Sequence, residues 1–153
     1  MRTVFYKRAT FVTHLPADHL YTHSHNWLSR TAEGDWRVGY TKFALRMLGE
    51  LVDVKFETTP GTAIQVGEIV GSIEGFKAIS DIYSVGRGNF VTGNSGLTSG
   101  LENVSKKPYE EGWLYQIAGE PDDRALDVEG YRVLLDATID RILEKQRQEE
   151  TTQ

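Results

Sequence analysis

"SIEGFKAISDIYS" occupies residues 72–84. Two apolar-alternating pieces flank a short break at Gly75, Phe76 and Lys77: Ile73 precedes it, and Ile79, Ile82 and Tyr83 follow. A strand shows one face every second residue, and the break reads as a turn, so the stretch predicts a β-hairpin with Lys77 at its apex. A lysine there is a solvated ammonium. It is a poor nucleophile, because Schiff-base lysines need burial or a neighbouring cation. The same position suits acylation by an enzyme that grasps the hairpin. Acylation turns the side chain into a long arm on a stiff base, and raises the effective concentration of its end at any partner docking that base. The bland alternative is one polar turn residue among seven lysines.

The pattern continues on both sides of the hairpin. "DWRVGY" (35–40), "LVDVKFE" (51–57), "EIVGSIE" (68–74), "AISDIYS" (78–84), "GNFVTG" (88–93) and "GWLYQIA" (112–118) are all strand-like. In the second, Val52, Val54 and Phe56 alternate as if sharing one buried face. "TPGT" (59–62) is a turn, with Pro60 presetting φ and Gly61 accepting positive φ. "VGRGN" (85–89) reads as another tight turn, being too short and lacking the helix of a phosphate loop. Many short strands at this spacing mean a sandwich or barrel. Two helices interrupt them. "TKFALRMLGE" (41–50) starts on Thr41 as cap, buries Phe43, Leu45 and Leu48, and stops at Gly49. The second begins at Asp127, with Val128, Tyr131, Leu135, Thr138 and Ile142 at helical spacing. "TVFYKRATFVTH" (3–14) adds an edge strand or covers one. The division is thus a 1–20 extension, a 21–145 domain, and a 146–153 tail without apolar residues that is expected to fray.

Composition bounds the chemistry. The 153 residues are 39% hydrophobic and 25% charged, which fits one domain with a real core. A net charge of −5 argues against nucleic acid as a principal partner. No apolar run approaches the roughly 18 residues of a membrane span. The first residues lack the apolar block of a signal peptide, so a cytoplasmic setting is expected. Cysteine is absent, so sulfur redox chemistry would have to come from an attached group. His23 and His25 would share a face on a strand, yet no third ligand completes a metal site. Trp27, Trp36 and Trp113 are expected in the core. Phe76, beside the apex, reads either as an exposed contact for a partner or as packed on the adjacent strand.

Four blocks together resemble the glycine cleavage system H protein family, a lipoyl-carrying branch of the lipoyl/biotinyl-domain superfamily. "YTHSHNWL" (21–28) is similar to its Y-x-x-S-H-E-W entry, and "VGYTKFALRMLGELVDV" (38–54) to its G-x-T-x-x-A-x-x-x-L-G segment. "GSIEGFKAISDIYS" (71–84) resembles its G-x-[VL]-E-S-V-K-A-x-S-[DE] block, and "KPYEEGWL" (107–114) its P-Y-x-x-G-W block. The resemblance implies an all-β flattened barrel (a barrel-sandwich hybrid) of two antiparallel sheets with a short inserted helix and a C-terminal helix. It implies lipoate attached covalently to Lys77, with Glu74, Ala78, Ser80 and Asp81 as the matching surroundings. His25, Asn26 and Phe43 are the positions expected to form a cleft for the arm. Biotin is disfavoured, because Phe76 and Ala78 stand where a biotinyl domain has methionines.

The implied function is a non-catalytic carrier that shuttles the aminomethyl group of glycine. Its implied partners are glycine decarboxylase (P protein), aminomethyltransferase (T protein), dihydrolipoamide dehydrogenase and the lipoyl transferase or ligase that loads it. The chain departs from the pattern near the chemistry. Asn26 replaces the family's glutamate, which loses a charge-assisted hydrogen bond. Gly75-Phe76 replaces Ser-Val, and "SVGRG" (84–88) lacks the family's proline. Two rival readings follow: a lipoyl carrier of another pathway, such as sulfur transfer or lipoate relay, and an unmodified interaction module.

Overall fold

The computed structural model describes residues 1–151. Two antiparallel sheets face each other. The larger has the order β3 (Leu20–Tyr21), β4 (Asn26–Arg30), β5 (Trp36–Tyr40), β11 (Tyr115–Pro121), β10 (Gly86–Gly93), β7 (Ala63–Ile64). The smaller is β6 (Leu51–Phe56), β8 (Ile69–Gly75), β9 (Ile79–Tyr83). The core between them is built from the inward residues of both, among them Leu28, Val38, Val70, Ile73, Ile82, Phe90 and Ile117. Each strand contributes alternate side chains to that core, as the pleat requires. The expected flattened barrel is what forms.

α1 (Lys42–Leu48) joins the sheets. Thr41 caps it, its hydroxyl accepting from the Ala44 N–H. The helix straddles two cores: Leu45 and Leu48 enter the one between the sheets, while Phe43 points into a second. That second core packs α3 (Val128–Thr151) against one end of the large sheet, with Tyr21, Trp27, Tyr131, Leu135 and Ile139 buried in it. Asp127 caps α3, accepting from the Gly130 N–H at 2.8 Å.

The N-terminal segment does more than the sequence suggests. β1 (Thr3–Arg8) and β2 (Phe11–Pro16) pair only with each other, so the segment is a hairpin of its own and adds no edge strand to either sheet. Its buried face, Tyr6, Phe11 and Leu15, closes the second core. The outer edge is pinned to α3: the Tyr6 hydroxyl donates to Asp136 at 2.8 Å, and Arg8 grips Asp140 through Nε and Nη2 at 2.8 and 2.7 Å.

Three further expectations change, and one stretch without an expectation proves structured. Val52 is exposed, because the ladder between β6 and β8 slips at residues 51–53 and turns it outward, leaving Val54 and Phe56 on the core side. Residues 86–89 are the start of β10, not a tight turn; the buried Tyr115 hydroxyl accepts from the Val85 N–H and donates to the Tyr83 carbonyl, holding the crossing open. α3 runs to Thr151, past the residue at which fraying was expected, with an Arg147–Glu144 ion pair along it; the last two tail residues lie outside the described span. The stretch 94–106 holds a 3₁₀ turn (Ser95–Thr98) and the short α2 (Asn103–Lys106), which pattern reading passed over.

Candidate functional site

β8 and β9 form the hairpin read from the sequence, with Glu74 opposite Ile79 and the Gly75 N–H donating to the Ala78 carbonyl at 2.9 Å. The apex does not wave free. It sits on the C-terminal end of α1, whose last carbonyls lack intrahelical partners. The Lys77 N–H donates to Leu48 O at 3.0 Å, and the Phe76 N–H to Glu50 O at 3.0 Å. The Lys77 ammonium reaches Arg46 O at 3.2 Å, where a cation also suits the negative end of the helix dipole.

Two glycines allow this contact. A Cβ on Gly75 would stand 2.1 Å from Leu48 O, so only glycine lets the hairpin lie so close. Gly49, at φ +76° and ψ −165°, leaves the channel through which the lysine stem passes. The result is a side chain with a fixed root and an exposed amine. Among the described residues Lys77 makes no ion pair, and it is exposed.

The matching surroundings fall where the motif puts them. Glu74, Ala78 and Asp81 are exposed on the hairpin, and Ser80, half-buried, donates to Asp81 O. Burial pushes the pKa of the Tyr40 phenol up to about 12. Phe76 is 77% exposed and Ile79 73%, which puts two large apolar side chains in water on either side of Lys77.

The three residues expected to form an arm cleft take different places in the fold. Phe43 lies against the His25 ring, centroids 4.7 Å apart, and Phe43 alone of the three borders the groove that reaches Lys77. His25 is in a turn at φ +63°, not on a strand, so it and the exposed His23 do not share a strand face. Its Nδ1 meets the Tyr131 hydroxyl at 2.9 Å, and that hydroxyl meets Thr41 Oγ1 at 2.8 Å. Thr41, already accepting from Ala44, donates to Tyr131, and Tyr131 donates to His25. Burial, reinforced by His23, pushes the His25 pKa down to about 4, so the ring is neutral and accepts at Nδ1. Asn26 is buried in β4. Its Oδ1 accepts from Ser24 at 2.8 Å and its Nδ2 donates to Gly39 O at 3.3 Å. Both ends of the amide are therefore used by the fold. Ser24 borders a separate depression with Tyr83 and Ser84.

The groove at Lys77 is what sequence reading missed. It has a volume of about 320 Å³ and runs between the turn of the N-terminal hairpin, the outer face of α1 and the last turns of α3. Only Met47 and Phe11 could have hinted at it, as apolar residues near the ends of their elements. Nothing in their spacing says that residues 11, 47 and 142 meet.

The family model for the glycine cleavage H-protein matches residues 19–133. The glycine cleavage system H protein of Mycolicibacterium vanbaalenii is 35% identical over 127 residues, which cover 79% of this chain and 96% of that one. That of Pectobacterium carotovorum is 37% identical over 128 residues, covering 82% and 98%. Among solved structures, the crystal structure of a glycine cleavage system H protein from Mycobacterium marinum superposes with a TM-score of 0.68 at 30% identity, covering 76% of this chain and 95% of that one.

Proposed function

The chain belongs to the glycine cleavage H-protein family, and from that premise we propose that Lys77 carries the lipoyl group on which its work depends. The protein is a lipoyl carrier of the glycine cleavage system, with lipoate as its covalently attached group. One observation carries the assignment to Lys77: the exposed amine stands at the apex of a β-hairpin whose tip is held to the C-terminal end of α1 and the residue just beyond it by three bonds to backbone carbonyls. A loading enzyme meets a rigid, accessible target, and the acylated nitrogen keeps an N–H with which to hold Arg46 O. The residues fit the group.

Bound there, the lipoyl group supplies a dithiolane able to take up and release the aminomethyl fragment of glycine. The chain itself supplies attachment, orientation and reach, and no catalytic side chain. Its partners on this reading are the glycine decarboxylase, the aminomethyltransferase, the dihydrolipoamide dehydrogenase and the lipoyl transferase or ligase. Phe76, with Ile79, gives these enzymes an apolar contact at the arm's root. We place the carrier in the cytoplasm; among the described residues no helix is long and apolar enough to cross a membrane.

The test is the intact mass of protein made in lipoate-producing cells, followed by glycine–bicarbonate exchange with glycine decarboxylase. A lipoyl increment on Lys77 and supported exchange are expected. An unmodified chain returns it to an interaction module, and a modified chain that fails exchange points to another lipoyl-dependent pathway.

A further inference from the structure

The net charge of −5 is not spread evenly over the surface. Two grooves, of about 320 and 530 Å³, lie along α1 and meet at Thr10, Phe11 and Arg46. Their charged lining is Arg8, Lys42, Arg46 and Lys77 against the single carboxylate of Glu50. Among the described residues, only Arg8 of these cations is paired, with Asp136 and Asp140. Lys42 and Arg46, one turn apart and both exposed, give their donors to neutral oxygens: Val12 O at 3.1 Å and Thr10 Oγ1 at 3.3 Å. Val12, Met47 and Leu143 of the same walls are left partly in water. A cationic, partly apolar concavity has thus formed on an acidic protein, and its walls at residues 8–12 and 139–143 lie outside the matched span of 19–133.

We propose that this face docks an acidic, amphipathic segment of the glycine decarboxylase, the enzyme that meets the loaded arm first; the inference rests on the function proposed above. Charge complementarity names the occupant. Carboxylates one helical turn apart on the partner match Lys42 and Arg46, and apolar side chains between them cover Val12, Met47 and Leu143. Acylation removes the charge of Lys77 but leaves Lys42 and Arg46, so the loaded carrier still presents a cationic face. The chain as a whole is acidic and is repelled by an anionic lipid surface, which favours a protein partner over a membrane. Exposed pairs of this kind act on encounter more than on lasting affinity, so the carrier docks and leaves, as a shuttle requires.

Lys42 and Arg46 are exposed, so exchanging them spares the core. The experiment uses the lipoylated full-length chain in glycine–bicarbonate exchange with glycine decarboxylase, comparing the wild type with Lys42→Glu/Arg46→Glu and with Lys42→Gln/Arg46→Gln. At low salt the reversed pair is expected to raise KM for the carrier about tenfold and the neutral pair about threefold, both differences shrinking at about 0.5 M salt. The neutral pair keeps donors for Val12 O and Thr10, and so separates docking from loosening of the hairpin. An equal KM for all three chains, indifferent to salt, overturns the proposal. On the unloaded chain, a synthetic helix of leucines with glutamates at i and i+4 is expected to move the backbone NMR signals of Lys42, Arg46 and Met47, and its lysine counterpart to leave them in place. If loading or exchange fails, the proposed function falls while this titration still judges the face: unmoved signals, or binding to phosphatidylglycerol vesicles instead, overturn it.

Discussion

The backbone of Gly49 lies so close to Lys77 that a Cβ on residue 49 would come within 2.9 Å of Lys77 Cγ. Position 49 therefore does two jobs. It ends α1 in a conformation that is essentially reserved for glycine, and it keeps open the path of the lysine stem. Gly49→Ala is expected to cost about 1–3 kcal/mol in urea unfolding. It should also slow lipoyl loading of the folded protein at temperatures well below its midpoint, read as the mass increment against time. Loading at the wild-type rate would show that the root of the arm needs no such channel.

Lys77→Arg keeps a cation at the helix end but offers no primary amine. The increment should vanish, while stability stays within about 0.5 kcal/mol of the wild type, as for exposed substitutions generally. A modified Lys77→Arg chain would locate the arm elsewhere.

Phe76→Ser removes an apolar side chain that is mostly in water, so stability should again be unchanged within about 0.5 kcal/mol. Loading and exchange rates should fall together, because both depend on enzymes approaching the same apex. If neither rate moves, the exposed ring is no docking contact.

Asn26→Asp tests what the buried amide contributes. The carboxylate still accepts from Ser24 but cannot donate to Gly39 O, and it brings a charge into β4. A loss of about 1–3 kcal/mol at neutral pH is expected, easing in acid as the carboxyl protonates. A stable variant at neutral pH would mean that the Gly39 carbonyl does not need this donor.

His25 sets a pH dependence. The ordinary value near 6.5 falls to about 4 in the folded chain, so the unfolded state binds more protons between those limits. Stability is complete above about pH 6.5 and is lost as pH falls towards 4, by up to about 3 kcal/mol. The groups facing the ring are His23, whose charge adds to the effect, and the Tyr131 hydroxyl, which donates to it. His25→Gln retains an acceptor and should flatten this part of the pH–stability curve; an unchanged curve would assign the loss to other groups.

Local chemistry made the central features legible. Alternation gave the strands, Thr41 and Asp127 gave the helix starts, and the Gly75-Phe76-Lys77 break placed the amine at its apex. Val52 misled because a one-residue slip in the ladder reverses which face a side chain meets, and nothing in its immediate sequence announces the slip. Residues 85–89 look like a turn by composition, yet the partner that straightens them is Tyr115, 30 residues away from Val85. His25 sits in a positive-φ turn rather than on a strand because the turn before β4 takes it there, which composition does not show. The groove was illegible for the same reason at larger scale. Its walls come from opposite ends of the chain, brought together by the second core and by the Tyr6–Asp136 and Arg8–Asp140 bonds.

Those bonds join residues 130 and 132 positions apart. A ribosome emits the hairpin before its helical mate, so the clasp can close only after the whole barrel between them has emerged. The slot beside Lys77 is therefore completed only once α3 has been made, whereas the hairpin that carries the amine precedes that helix in the chain.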